Sequence, residues 1–206
     1  MKRELRPAIL SVLVLTFLTG VVFPLMLFAI ATWVFPHQAS GSLVVLRGTV
    51  VGSSLIAQEF SGAEWFQPRP SAAGRGYDAT ASGATDLAPS NPKLKEGAPG
   101  FSGIRELAAL YRKRNGLPSD APVPIDAVTR SGSGLDPDIS PANALLQVPR
   151  VARARGLSDE ALRRLVAAQM VQPQLGFLGE PRVPVLALNL ALAQLASAPH
   201  MGPHAP

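Results

Sequence analysis

Ile9 to Phe35 is an unbroken run without a charged side chain, and it dictates where the rest of the chain can sit. As an α-helix it reaches about 40 Å at about 1.5 Å per residue. A bilayer's hydrocarbon core is about 30 Å thick, so the run is long enough to span it with some tilt. Gly20 and Pro24 lie inside. Pro24 removes one backbone donor and predicts a kink, which membrane helices accommodate when neighbouring groups satisfy the freed carbonyl. A cleaved signal peptide is one competing reading, but secretory apolar regions run about 7–15 residues and end at a small-residue cleavage site. This run is longer, and it closes on Trp33-Val34-Phe35-Pro36-His37, which fits an aromatic interface anchor. A buried core helix is the other competitor, and so long an uncharged run is out of proportion to a soluble domain of this size.

Lys2, Arg3 and Arg6 precede the run against the single acid Glu4, and no charge follows it until Arg47. The positive-inside rule then puts the N-terminus in the cytoplasm and everything after about residue 36 outside. Val183 to Ala196 is the next apolar stretch, but Pro184, Asn189 and Gln194 interrupt it and it is too short to cross comfortably. The predicted organisation is a cytoplasmic stub (1–8), a transmembrane helix (9–35), an extracytoplasmic domain (36–196) and a disordered tail (197–206). The outer part suffices for one ordinary domain with a core. The chain has no cysteine, hence neither a disulfide framework nor thiol chemistry. Its net charge of +5 lies partly in the N-terminal flank, and the remainder is too mild to argue for nucleic acid.

The outer part reads as a mixed α/β (α+β) domain. Val44-Val45-Leu46 and Thr49-Val50-Val51 are β-formers around an Arg47-Gly48 turn, and Ser54 to Phe60 extends them as strand or single helical turn. Trp65 to Pro99 is rich in Gly, Pro, Ser and Asn and reads as a long loop, anchored by Trp65 and Phe66. Gly103 to Asn115 is predicted helical, with Ile104, Leu107, Leu110 and Tyr111 on one face, Arg105, Arg112, Lys113 and Arg114 on a solvated one, and Gly116 ending it. After the proline-broken loop 118–141, Ser140-Pro141 is a helix start, Pro149 predicts a kink or a new turn within Ala142 to Ala154, and Gly156 ends the helix. Ser158-Asp159-Glu160 caps a further helix whose apolar face is Leu162, Leu165, Val166 and Met170. Val185 to Leu195 alternates as a strand would, but its Leu/Ala content and the spacing of Leu188, Leu192 and Leu195 favour a helix.

Most catalytic signatures are absent. The chain has neither a phosphate-binding G-x-x-x-x-G-K-[ST] loop nor a G-x-S-x-G nucleophile elbow. Its histidines are His37 beside the span and His200 and His204 in the tail, which makes neither a triad nor a metal cluster. Two segments are too specific to be filler: Ala81 to Pro92, and Val128-Thr129-Arg130-Ser131-Gly132-Ser133-Gly134-Leu135-Asp136-Pro137-Asp138-Ile139-Ser140-Pro141. Both set small residues and fixed-φ prolines around carboxylates and hydroxyls. The Ser-Gly-Ser-Gly stretch offers backbone amides for close approach of a ligand or another chain, while the plainer reading of these side chains is Asx and Ser turns that satisfy loop backbone.

These segments carry a resemblance. With Gly52-Ser53-Ser54-Leu55-Ile56-Ala57-Gln58, Trp65 to Ala72, Gln147-Val148-Pro149-Arg150-Val151-Ala152-Arg153-Ala154-Arg155-Gly156, Leu175 to Val183 and Leu188 to Leu192, the chain resembles the C subunit of Kdp-type potassium-transporting P-type ATPases from about Leu5 to Leu195. Its departures from the usual pattern include Ala84-Thr85-Asp86-Leu87-Ala88, Arg130, Asp138, Gln172-Pro173-Gln174 and Pro184.

The resemblance implies a non-catalytic, single-pass accessory subunit in a bacterial inner membrane, surrounded by membrane lipid. Its partners would be a potassium-binding, channel-like subunit and a P-type subunit that hydrolyses ATP, in a complex that imports potassium. One mechanism implied by the resemblance is a catalytic chaperone that raises ATP affinity, with Gln147 and the Ser131-Gly132-Ser133-Gly134 loop touching nucleotide. ATP would then be the ligand, but on the charge argument Gln147 lies on the opposite side of the membrane from it. The other mechanism is a cap over the outer potassium entrance, with Asp136 and Asp138 drawing cations to the mouth or fixing the docking interface, and the helix near Gly20 packing on partner helices. A rival from another class is a stand-alone membrane-anchored sensor or hydrolase domain, which would be stable without partners.

Overall fold

The computed structural model describes residues 2–197, with Lys2, Arg3, Ala196 and Ser197 as backbone only. The disordered tail expected at the C-terminus lies, from residue 198, outside the described residues. Two compact units divide between Ser53 and Ser54.

The first unit opens with one long helix, α1, made of Lys2–Phe17, the π-helical turn Leu18–Val22 and Phe23–Val34. It is long and apolar enough to cross a membrane and is not buried within the molecule, so it is not a core helix. The sequence predicts a kink at Pro24. The backbone widens just before it, where the Phe23 N–H reaches back to the Leu18 carbonyl. Such a turn is a usual way to accommodate a residue that cannot continue the helical ladder. Thr19 and Thr32 turn their hydroxyls onto the carbonyls of Leu15 (2.7 Å) and Phe28 (2.8 Å), so these polar groups are satisfied inside the helix. After a single turn at Pro36–Ala39, the strands β1 (Leu43–Leu46) and β2 (Thr49–Ser53) pair antiparallel with a bulge between Val44 and Val45. Arg47 (φ 51°) and Gly48 (φ 82°) form the two-residue connection with the left-handed backbone such hairpins need. Ser53 ties the hairpin back to the Gly41 carbonyl at 2.7 Å.

The second unit combines helices and two short strands with long irregular segments. It contains α2 (Pro92–Glu96), α3 (Ile104–Asn115), a 3-10 turn (Ile125–Ala127), β3 (Asp138–Ile139), α4 (Pro141–Arg155), α5 (Asp159–Gln169), β4 (Val183–Pro184) and α6 (Val185–Ser197). Local chemistry sets the helix ends. Ser140 and Ser158 accept the N–H groups of Asn143 (3.1 Å) and Ala161 (3.2 Å), and Gly116 and Gly156 close α3 and α4 in the left-handed region at φ 67°. Helix α4 runs through Pro149 as one continuous helix rather than starting a new turn there. Ala144, Val148, Val151 and Ala152 bury its face on both sides of the proline, so tertiary packing outweighs one missing backbone bond. Those residues meet Phe66, Leu162, Val166, Leu188 and Leu192 in the core. β3 and β4 form a two-residue antiparallel ladder, Asp138 opposite Pro184 and Ile139 opposite Val183. This ladder and α2 were not foreseen; Ser54 to Phe60 is irregular, neither strand nor helix, and Leu110 is exposed rather than on the packed face of α3.

Candidate functional site

The Ser131–Asp138 loop folds against the Arg69–Gly83 segment through hydrogen bonds between them, backed by others inside each segment. Ser71 Oγ donates to the Gly134 carbonyl (2.6 Å) and accepts the N–H groups of Ala73 (3.1 Å) and Tyr77 (2.9 Å). The Gly83 N–H (2.9 Å) and Ser82 hydroxyl (3.0 Å) donate to the Ser133 carbonyl. Ser133 Oγ accepts the Leu135 N–H (3.1 Å) and Ser131 Oγ the Asp136 N–H (3.3 Å). Gly134 has φ +69°, and a Cβ there would stand 2.5 Å from the Gly83 carbonyl oxygen and 2.7 Å from the Ala73 nitrogen. A side chain is therefore excluded by rigid backbone as well as by conformation. Gly132 faces open space.

Both loop carboxylates are paired. Asp136 Oδ2 takes the Arg69 guanidinium at 2.6 Å while its Oδ1 accepts the Asp138 N–H at 3.1 Å, and Asp138 Oδ2 takes Arg182 Nε at 2.6 Å. Burial pushes the Asp138 carboxyl above the usual range; Arg182 pulls the other way and Asp136 adds to the rise. The unusual Arg130 lies over the Phe101 ring, 4.4 Å from its centroid, and donates to the Ser102 carbonyl. Asp86 adopts φ 52°, a conformation that Asp and Asn tolerate better than most residues.

Gln147 hydrogen-bonds to none of these loop residues. It lies in a polar stripe on α4, where Asn143 (1% exposed), Gln147 (1%) and Arg150 (6%) follow one another along a buried face. Gln147 Oε1 accepts the Gln67 N–H (2.8 Å) and Arg150 Nη2 (2.7 Å); its Nε2 donates to the Gln67 carbonyl (3.1 Å) and Asn143 Oδ1 (3.0 Å). Its amide is fully engaged inside the protein. Asn143 Nδ2 also donates to Asp126, which accepts the N–H and hydroxyl of Ser140 and so anchors the start of α4. Tyr111 donates to Asn143 Oδ1 (2.9 Å). Burial, reinforced by Asp126 and opposed by Arg150, raises the Tyr111 phenol. Across the core, Asn189 closes a two-bond clasp on the backbone of Phe66 (2.9 and 2.8 Å).

A cleft of ≈ 560 Å³ opens beside the stripe, lined by Phe60, Gln67, Pro68, Tyr77, Leu107, Arg114, Gln147 and Arg150 among others. Burial, with Glu59 adding and Arg114 opposing, pushes the Tyr77 phenol up to about 12. Among the described residues no group of His, Asp and Glu side chains is arranged to hold a metal ion.

Sequence reasoning brings the Ser131–Asp138 residues together as one element and singles out Gln147. It misses Arg69, Tyr111, Asn115, Asp126, Asn143, Arg150, Arg182 and Asn189, whose partners lie far off in sequence. The only local signal is the polar spacing 143, 147, 150, which reads equally as a solvated helix face.

These features define a class: a domain of densely tied loops in a chain that also carries one N-terminal helix fit to span a membrane. The sequence pattern of the family described as "K+-transporting ATPase, c chain" matches residues 5–194. A protein of Mycobacterium tuberculosis named potassium-transporting ATPase KdpC subunit is 49% identical over 195 residues, covering 95% of this chain and 100% of its own length. Proteins of the same name from Rhodopseudomonas palustris (48% over 204 residues, 93% and 97% covered) and Acidobacterium capsulatum (47% over 192 residues, 93% and 98%) are similarly related. The chain belongs to this KdpC family.

Proposed function

We propose that the chain is a non-catalytic accessory subunit of an ATP-driven potassium import complex, in which ATP hydrolysis belongs to another subunit and a channel-like subunit binds the ion. Helix α1 anchors it in the membrane, and the unit beginning at Ser54 stands outside the cytoplasm, where it stabilises the assembly at the outer potassium entrance. Family membership supports the complex, and the basic N-terminal flank of α1 supports the sidedness. The observation that carries the mechanism is that the polar groups of the Ser131–Asp138 loop and of Gln147 are tied internally. Asp136 and Asp138, each neutralised by an arginine, set the shape of a docking surface and do not gather cations. Gln147 holds Gln67 in place, so direct contact with ATP is the weaker reading.

The test is topology. The chain has no cysteine, so Ser133→Cys and a cysteine near the N-terminus are each placed in a silent background. Both are probed with a membrane-impermeant thiol reagent on intact cells, the outer membrane permeabilised where there is one. Labelling at 133 alone is expected; labelling at the N-terminus alone overturns the sidedness and makes the nucleotide reading the leading one.

A further inference from the structure

Arg150 is a buried cation that makes no salt bridge among the described residues. Its Nε donates to Asn115 Oδ1 (2.9 Å), its Nη1 to the carbonyls of Ala63 (2.6 Å) and Trp65 (2.9 Å), and its Nη2 to Gln147 Oε1 (2.7 Å). Every partner is neutral, and no carboxylate among the described residues forms a salt bridge with it. One Nη2 N–H is left without a partner among the described residues. Removing a charge from water without a counter-charge is costly, and the protein adds to that cost with a second guanidinium nearby. Burial first, then repulsion from Arg114, lowers the Arg150 guanidinium to about 10, against smaller opposing effects of Tyr111 and Glu64.

Both arginines line the cleft. Arg114 is exposed and, among the described residues, hydrogen-bonds only to Gln67 Oε1, so most of its fork is available. Glu59 is the one carboxylate on the lining, and it pairs with neither arginine. The remaining walls include Phe60, Pro68, Leu107 and Leu110. The volume, ≈ 560 Å³, falls within the range of about 300–1,000 Å³ typical of ligand sites.

We propose that this cleft receives an Asp or Glu side chain of a partner polypeptide, its carboxylate taken by Arg114 and Arg150 and its apolar neighbours by the Phe60–Leu107–Leu110 walls. A carboxylate has two oxygens in a plane, which matches one spare N–H on Arg150 plus the fork of Arg114. A phosphoryl group carries more charge and is best met by cations on several sides, whereas Arg114 and Arg150 are the cations among the described residues of the lining. The proposal rests on the reading of the chain as a subunit.

The test uses the complete complex. Arg114→Glu is introduced into the full chain and the strength with which the other subunits co-purify is measured, followed by reversal of single acidic residues of those subunits to Lys. Arg114 is exposed, so the variant is expected to keep the wild-type melting temperature. Assembly is expected to weaken about tenfold or more, and one acid-to-Lys reversal is expected to restore it. Assembly of Arg114→Glu at wild-type strength, or weakening that no reversal restores, overturns the proposal. In parallel, sodium phosphate and ATP are titrated into the full chain in detergent micelles while the arginine side-chain NMR signals are followed. Saturable shifts of Arg114 and Arg150 mark a phosphoryl-anion site and overturn it too; unmoved signals are expected. If the wild-type chain itself fails to co-purify with other subunits, the subunit reading fails instead.

Discussion

Replacing Gln147 by Leu separates an architectural role from a ligand-binding one. Leu fills a similar volume, so the change removes hydrogen bonds more than packing. Four are lost, but they do not weigh equally. Asn143 Oδ1 keeps the Tyr111 hydroxyl at 2.9 Å, and Arg150 keeps Asn115, Ala63 and Trp65. The groups left stranded are the N–H and C=O of Gln67 and the Nη2 of Arg150. An unmade hydrogen bond at a buried group costs about 1–3 kcal/mol, and water from the neighbouring cleft recovers part of it, so the expected loss is about 2–4 kcal/mol. Native domains hold about 5–15 kcal/mol in total, so the variant should fold with a clearly lowered midpoint. Urea unfolding of the full chain in detergent micelles reads this through Trp65, whose ring lies 5.8 Å from Phe60 and 4.1 Å below the Arg155 guanidinium. A variant as stable as wild type, whose assembled pump nevertheless needs more ATP, would refute the reasoning and assign Gln147 to the ligand.

Gly134→Ala should cost more than a usual surface change, about 2 kcal/mol or above, because its methyl meets the backbone of Gly83 and Ala73 at a positive φ; thermal unfolding beside Gly132→Ala, which faces open space, makes the comparison. The chain has two tyrosines, and both phenols are raised above their ordinary value of 10.0. Their neutral forms stabilise the fold fully below about pH 10, and that contribution falls as the pH rises toward 12, because the unfolded chain ionises first. Phenolate absorbance should therefore show little ionisation in the native protein at pH 10, and half-ionisation there would count against the burial of both rings.

What could be read from the sequence was what short-range chemistry decides. The Arg47-Gly48 turn, the Ser140 and Ser158 caps and the Gly116 and Gly156 stops each need only the residues beside them, and α6 declared itself by composition. Pro149 misled because the rule against proline in helices is local, while the burial of Val148 and Val151 that overrides it is not. The stripe Asn143, Gln147 and Arg150 was opaque for a related reason. Polar residues at helical spacing face water unless distant backbone answers them, and here it does: the Gln67 amide is 80 residues from Gln147 and the Ala63 carbonyl is 87 from Arg150. The two-residue ladder of β3 and β4 is too short to leave a periodic trace.

The polar interior and the Ser131–Asp138 loop make different physical statements. In the loop each carboxylate faces an arginine, each serine hydroxyl takes a backbone N–H, and Gly134 allows two backbone segments to touch. The charges there are paired within the chain, and what such an element offers a partner is shape. The α4 stripe is nearly closed in hydrogen bonds but open in charge, because Arg150 is answered by carbonyls and amides that satisfy all but one of its donors without neutralising it. Replacing a buried charge by an apolar side chain of similar size often leaves stability equal or better, so the fold of this chain does not by itself call for the Arg150 guanidinium. Its position on the wall of a cleft, beside the exposed Arg114, fits the proposal that a partner's carboxylate supplies the counter-charge.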